Sequence, residues 1–500
     1  MANNHGNKIM STNSTTAPTH QNYIGGEWRA ASDGALDAHH NPARISEVTG
    51  HFPRSTDDDV RAAVDAAEAA YPAWRDLSVF ARAEYLKRAL ALMSERIDRV
   101  SQVITTENGK TLAESRGEIV SAIKEMEHQI HQGLRDLGEI APSAQSGVLA
   151  YQYRRPLGVC AVISPWNFPF NVPGRKCTPA LIAGNTVVLK PASLTPNVGL
   201  EFTRLFADTG LPKGVLNCIT GSGSGAGESL LNDSRIKAIS FTGSTKVGIH
   251  INQLAAGRLV RTQLELGGKN PMVVLEDADL DEAASACATA AFACAGQWCT
   301  STSRVIVAKK IAGPFVEAVL AKAQALRLGN GFDPATTMGP VCGTQQMKNI
   351  LDFIEQGKQE GARLLTGGRR AAGEGLDDGC FIEPTVFSEV NPGMTITQEE
   401  IFGPVLSVFT ADSFDEAVNI ANGVRFGLAS SIYTKDLERA MKFLEKTEAG
   451  LTHVNMMSAY KEPQLSFGGI KQSGSGIPEA GRTGIEFFTE HKVAYIKYRS

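Results

Sequence analysis

Apolar positions along this chain recur first at helical spacing, then in short runs that alternate with it. From about Asp57 to Leu137 the segments VRAAVDAAEAA, ARAEYLKRALALMSERIDRV and EIVSAIKEMEHQI place apolar side chains every three or four residues, which predicts long amphipathic helices. Short β-branched runs follow (GVCAVIS, NTVVLK, GVLNCIT and AISFTG), separated by stretches of helical period such as Asn197 to Thr209. A second alternating series comprises PMVVLED, a helix over Leu280 to Ala295, SRVIVAKK, a helix near Gly313 to Leu326, then LSVFTA, SSIYTK and GLTHVN. Strands alternating with helices predict right-handed βαβ units and parallel sheets. Two such series predict an α/β fold with two α/β domains facing one another. The tail HKVAYIKY alternates like an edge strand with no room left in either core, so it could pair with another subunit.

Composition narrows the partners. The 500 residues are 42% hydrophobic and 20% charged, ordinary for globular chains, and the length predicts roughly two to four domains. A net charge of −4 without a basic run gives no case for nucleic acid or anionic lipid. The apolar stretches are strand-sized, so no membrane span is expected. Eight scattered cysteines (160, 177, 218, 287, 294, 299, 342 and 380) show no CxxC pair, which argues against a disulfide framework or a metal site and for a reducing cytoplasm. The polar opening over residues 1–20 lacks an apolar core and predicts a disordered arm, with Met10 an alternative start.

Candidate chemistry lies where strands end. GVCAVIS runs into Pro165-Trp166-Asn167-Phe168-Pro169; an Asn amide held between two prolines can donate to a developing oxyanion, or serve only the turn. NTVVLK ends on Lys190, before Pro191 and Ser193, where an ammonium can reach a ribose hydroxyl or a phosphate, or stay solvated. The glycine-rich stretch from Gly221 to Gly227 does not match the dinucleotide spacing GxGxxG. AISFTG ends in Gly243-Ser244 before a helix, whose capped N-terminus is either an anion site suited to pyrophosphate or a plain cap. Glu265 in QLELGGKNP is a candidate base for water, and Cys299 in GQWCT a candidate nucleophile; the plain alternative is a buried, inert thiol, as read for Cys294. In Glu399-Glu400-Ile401-Phe402 an acid beside an aromatic can hold a ribose diol, or be a solvated turn carboxylate.

PWNFP, KPAS, FTGS, ELGGKNP, GQWCT, EEIFGP and SFGGIKQSG occur in the order seen in the aldehyde dehydrogenase superfamily, which the chain resembles from about Asn22 to Tyr498. The resemblance implies a Rossmann-like cofactor domain (21–130 and 154–265) and a catalytic domain (266–463). It also implies a small β bridging domain (131–153 and 484–500), in a homodimer or homotetramer whose last strand crosses between subunits. It casts Cys299 as nucleophile, Glu265 as general base, and Asn167 with the Cys299 backbone N–H as oxyanion hole. Trp166, Lys190, Ser193, Gly243, Ser244, Glu399 and Phe402 would then hold NAD or NADP. Many NAD-preferring members carry Glu where Ser193 stands, so NADP is expected to be accepted and preferred. The segment SGSGIPEAG departs from the commoner SGxGRE, which leaves Glu479 without an assigned role.

Arg175, eight residues after Asn167, resembles an Arg that binds the substrate carboxylate in succinate-semialdehyde and 2-oxoglutarate-semialdehyde dehydrogenases; an ion pair with an acid on its own helix is the alternative. Phe168, Trp298 and Phe467 are expected to wall the aldehyde channel. The expectation is therefore a short acidic semialdehyde, with a neutral aromatic or aliphatic aldehyde as the alternative. Glu265 argues for hydrolysis over transfer to coenzyme A, and the complete set of reactive residues argues against a non-catalytic role for the fold.

Overall fold

The computed structural model describes residues 17–135 and 138–499. Four helices, Asp57–Asp76, Val79–Glu95, Ile97–Asn108 and Leu112–Gly133, occupy the segment of helical period. Two of them start at capping boxes: Thr56 and Thr111 accept from Asp59 and Glu114 N–H groups, whose carboxylates return the bond. Loss of such a cap costs about 1 kcal/mol.

Five parallel strands centre the first sheet, in the order Leu216–Cys218, Thr186–Lys190, Val159–Ile163, Ile236–Thr242 and Arg261–Glu265. The chain begins in the middle at Val159–Ile163, builds outward on one side, then crosses back to add Ile236–Thr242 on the other. Strand order thus reverses between these two, and a crevice opens beyond their carboxyl ends. Cys160 and Val162 face one apolar core, Val159 and Ala161 the other. Burial on both faces is why these runs are continuously apolar.

The second sheet has seven strands, in the order Arg363–Thr366, Thr385–Ser388, Val405–Ala411, Thr302–Ala308, Asn270–Val274, Ala429–Tyr433 and Leu451–Val454. All its pairs are parallel except the first. The first two strands were not expected from the sequence; at four residues each they are too short to display a period. The predicted helix over Leu280 to Ala295 stops at Phe292, because Cys294, Ala295 and Gly296 turn left-handed with φ of 52°, 54° and 69°.

The tail strand Thr489–Lys497 finds a place in its own chain. It pairs antiparallel with Val148–Pro156, which in turn pairs with Gly138–Ala141. The small sheet starts at Gly138 rather than near 131, since the helix Leu112–Gly133 continues that far. Of the expected N-terminal arm, residues 1–16 lie outside the described residues, while His20 donates its backbone N–H to His51 at 2.8 Å. Among the described residues no helix is long and apolar enough to cross a membrane, and no cluster of His, Cys, Asp or Glu could hold a metal ion. All eight cysteines are free thiols; seven are buried and Cys299 is half-buried.

Candidate active site

A cavity of about 820 Å³ runs between the two sheets, from Lys190 and Ser193 at one end to Cys299 and beyond at the other. Lys190 closes its strand because Pro191 bars further pairing. Its ammonium is buried, donates to the Pro191 carbonyl at 3.1 Å, and is pulled by burial to a pKa of about 8. Ser193 donates to the Gly221 carbonyl at 3.1 Å. Gly243 directly follows the strand Ile236–Thr242 and carries no Cβ, which would come 2.4 Å from the Phe241 ring. Ser244 then caps the helix Thr245–Ala256 by accepting from Val247, leaving first-turn N–H groups free for an anion. Trp166 packs edge-on against Phe402 at 5.2 Å and 83°. Phe402 is held at the rare φ of 56°, and Gln346 donates to its carbonyl at 2.8 Å.

Of the expected cofactor residues, Glu399 is the one the structure turns away. Its carboxylate forms a two-bond ion pair with Arg425 and does not line the cavity. Glu400 lines it instead, accepting from the Gly268 N–H at 2.9 Å, and burial pushes its carboxyl up to about 7. The physical reason is local: Glu399 is extended (φ −90°, ψ 147°), so it and its successor point to opposite sides. Gly267 makes room for Glu400, because a Cβ there would lie 2.0 Å from the carboxylate. A buried amine, a helix N-terminus with first-turn N–H groups beside a bare glycine, and an acid two residues from an aromatic ring fit the ribose, diphosphate and ring of a nicotinamide dinucleotide.

Cys299 follows the left-handed turn, in a loop pinned by one residue of the second sheet. Asn270 donates to the Cys299 and Ser301 carbonyls at 2.8 and 2.9 Å. Close approach requires Gly268, where a Cβ would sit 2.7 Å from the Cys299 carbonyl. Burial pushes the Cys299 thiol up to about 12, while Arg175 and Lys461 act to lower it. Asn167 is buried beside this loop and donates from Nδ2 to the Gln297 carbonyl at 3.1 Å. Asn108 steadies that turn through the Trp166 carbonyl at 2.8 Å.

Glu265 ends its strand with its carboxyl in the cavity wall, and Oε2 has no hydrogen-bond partner. Burial first, then the neighbouring Glu479, raise its pKa well above the ordinary carboxylate range. Glu479, unassigned from the sequence, is buried in the same wall and accepts from Lys176 and, at 3.3 Å, from Thr242. Its backbone explains the placement: it exchanges two 2.7 Å hydrogen bonds with Phe467. An altered SGSGIPEAG motif hid a residue that the Phe467 pairing brings home.

Aromatic rings wall the far end. Phe168 lies 5.3 Å from Trp298, with the Lys110 ammonium 3.7 Å from its centroid. The Arg175 guanidinium sits 4.6 Å above the Phe467 ring. Arg175 is fully engaged with Glu125, at 2.7 Å from Nε and 3.2 Å from Nη2, and donates to Asn171 at 2.9 Å. Its acid thus comes from the helix Leu112–Gly133, not from its own helix. Lys461, which carried no sequence signal, also pairs with Glu125 from an irregular segment after the last strand of the second sheet. Burial opposes charge on Glu125, yet Arg175 and Lys461 hold its carboxyl down at about 2.

The family model for the aldehyde dehydrogenase family matches residues 28–494. The chain is 42% identical over 483 residues to the alpha-ketoglutaric semialdehyde dehydrogenase of Bacillus subtilis, covering 97% of this chain and 99% of that protein. It is 38% identical over 458 residues to the 2,5-dioxopentanoate dehydrogenase of Saccharolobus solfataricus, covering 91% and 95%. Among solved structures, betaine aldehyde dehydrogenase from Staphylococcus aureus in complex with NAD+ superposes with a TM-score of 0.93 at 32% identity, covering 96% of this chain and 95% of that one. A match through both sheets and the crevice between them, at such identity over nearly the whole length, settles the kinship: the chain belongs to the aldehyde dehydrogenase family.

Proposed function

We propose that the cavity oxidises a short acidic semialdehyde to a dicarboxylate through a thioester on Cys299. The carrying observation is the part of the cavity wall where Arg175 and Lys461 share the carboxylate of Glu125. Counting Lys176 and Glu479 beside them, three cations against two buried anions suit a substrate that brings its own carboxylate. The names of the Bacillus and Saccharolobus relatives, both semialdehyde or dioxo-acid dehydrogenases, support the same reading.

In this mechanism the Cys299 thiolate adds to the aldehyde carbon. Asn167 Nδ2 and the Cys299 backbone N–H donate to the resulting oxyanion, each donor contributing on the order of 3 kcal/mol. A bound nicotinamide dinucleotide supplies the hydride acceptor. Lys190 and Ser193 would hold its adenosine ribose, Gly243 and Ser244 its diphosphate, and Trp166, Glu400 and Phe402 its ring end. Glu265 then takes a proton from water, which attacks the thioester carbonyl, and the acid leaves as the thiolate is restored. Phe168, Trp298 and Phe467 exclude bulk water, while the positively charged wall of Arg175 and Lys461 favours an anionic chain. Because Ser193 is uncharged, NADP is accepted and preferred. The free thiols fit a reducing cytoplasm, and the outer strand Thr489–Lys497 fits a homo-oligomer.

The test is kcat/KM for succinate semialdehyde against butanal, with NAD and NADP. We expect the acid to be preferred at least tenfold; equal efficiency removes the acidic substrate. Alkylation of one thiol, abolished together with turnover in Cys299→Ala, tests the nucleophile; turnover surviving in that variant rules it out.

A further inference from the structure

Arg175 has little left to offer a substrate. Its Nε and Nη2 donate to Glu125 and Asn171, Nη1 lies 3.6 Å from Glu479, and its side chain is 6% exposed. Lys461 stands differently. Its ammonium touches Glu125 and lies 3.3 Å from Asn171 Oδ1, which uses two of its three N–H bonds, and its side chain is 27% exposed in the cavity wall. It is carried by the irregular segment after Leu451–Val454, not by a helix, and its charge is felt at the Cys299 thiol.

We propose that Lys461 is the group that meets the distal carboxylate of the substrate, with Glu125 as the tether that holds its ammonium at the wall. This rests on the acidic-substrate reading and adds to it the specificity-determining residue. The charge balance of the ion pairs supports it: Lys176, Arg175 and Lys461 are paired with only two carboxylates, those of Glu125 and Glu479. One positive charge is in excess, which one incoming carboxylate matches. An ammonium on a four-carbon stem has no fixed fork, so it can follow acids of four or five carbons alike.

Steady-state kinetics of Lys461→Met, Lys461→Gln and Lys461→Arg with succinate semialdehyde and butanal test this. In Lys461→Met and Lys461→Gln, KM for succinate semialdehyde should rise about tenfold or more, the cost of one lost charged contact. KM for butanal, which has no carboxylate to offer, should move less than about threefold, and Lys461→Arg should recover part of the loss. An unchanged KM for succinate semialdehyde overturns the proposal, and so does an equal loss with both aldehydes. A wild type that does not prefer the acid removes the acidic-substrate reading together with this inference. A preference that survives in Lys461→Met removes this inference alone.

Discussion

Ser193 donates to the Gly221 carbonyl from the cavity wall and places no charge where a carboxylate would repel a 2′-phosphate. In Ser193→Glu, kcat/KM with NADP should fall at least tenfold, by like-charge repulsion across a short distance, while the value with NAD falls far less. Equal losses with both cofactors would contradict the assignment. Glu265 makes a prediction about pH. Only its carboxylate form can accept a proton, and burial followed by Glu479 raises its pKa well above the ordinary range. Single-turnover thioester hydrolysis should therefore climb about tenfold per pH unit below that raised pKa and level off above it. Glu479→Gln removes one of the groups that raise it and should shift the rise to lower pH. A rate that falls with pH would exclude Glu265 as the base. At this scale the sequence named residues by motif, and the structure brings all of them but Glu399 to the wall of one cavity. Glu399 is the exception, since an extended backbone turns its carboxylate to Arg425 and leaves Glu400 in the cavity wall.

Between the helix Leu280–Phe292 and Cys299, the left-handed Cys294 and Ala295 each cost about 1–3 kcal/mol of strain. Packing holds them there: Cys294 donates its N–H to Glu114 at 2.7 Å, and Gly296 passes so near Gly403 that a Cβ would lie 2.2 Å from its carbonyl oxygen. Gly296→Ala should lower Tm by at least about 3 °C and kcat severalfold, read by thermal melting and steady-state kinetics. Gly313→Ala, where a Cβ meets nothing within 4 Å, is the control and should change neither. Wild-type values in Gly296→Ala would show that the turn does not position the thiol. The sequence period carried the helix on to Ala295 because alanine and cysteine do not break it; the contact with Gly403 does. Likewise Thr385–Ser388 exists through pairing with Val405–Ala411, and Arg363–Thr366 through pairing with Thr385–Ser388, not through a pattern of their own.

Across the whole molecule, the small sheet leaves Thr489–Lys497 at its edge, with Val493 52% and Tyr495 74% exposed. An apolar outer strand calls for a partner. Val493→Glu with Tyr495→Glu should reduce the assembly to a mass of one chain by light scattering, and a monomeric wild type would refute the expected oligomer.

By itself the sequence determined the alternation of strands and helices, the family, and Cys299, Glu265 and Asn167 as the residues proposed for the chemistry, because each is written in local period or in a compact motif. Tertiary structure alone decided the acidic-substrate wall. Glu125 lies 50 residues from Arg175 and 336 from Lys461, and only the packing of the helix Leu112–Gly133 against the helix Asn171–Ala183 and an irregular segment sets their charges side by side. It also decided which acid lines the cavity, since one residue of extended backbone reverses the side a carboxylate takes.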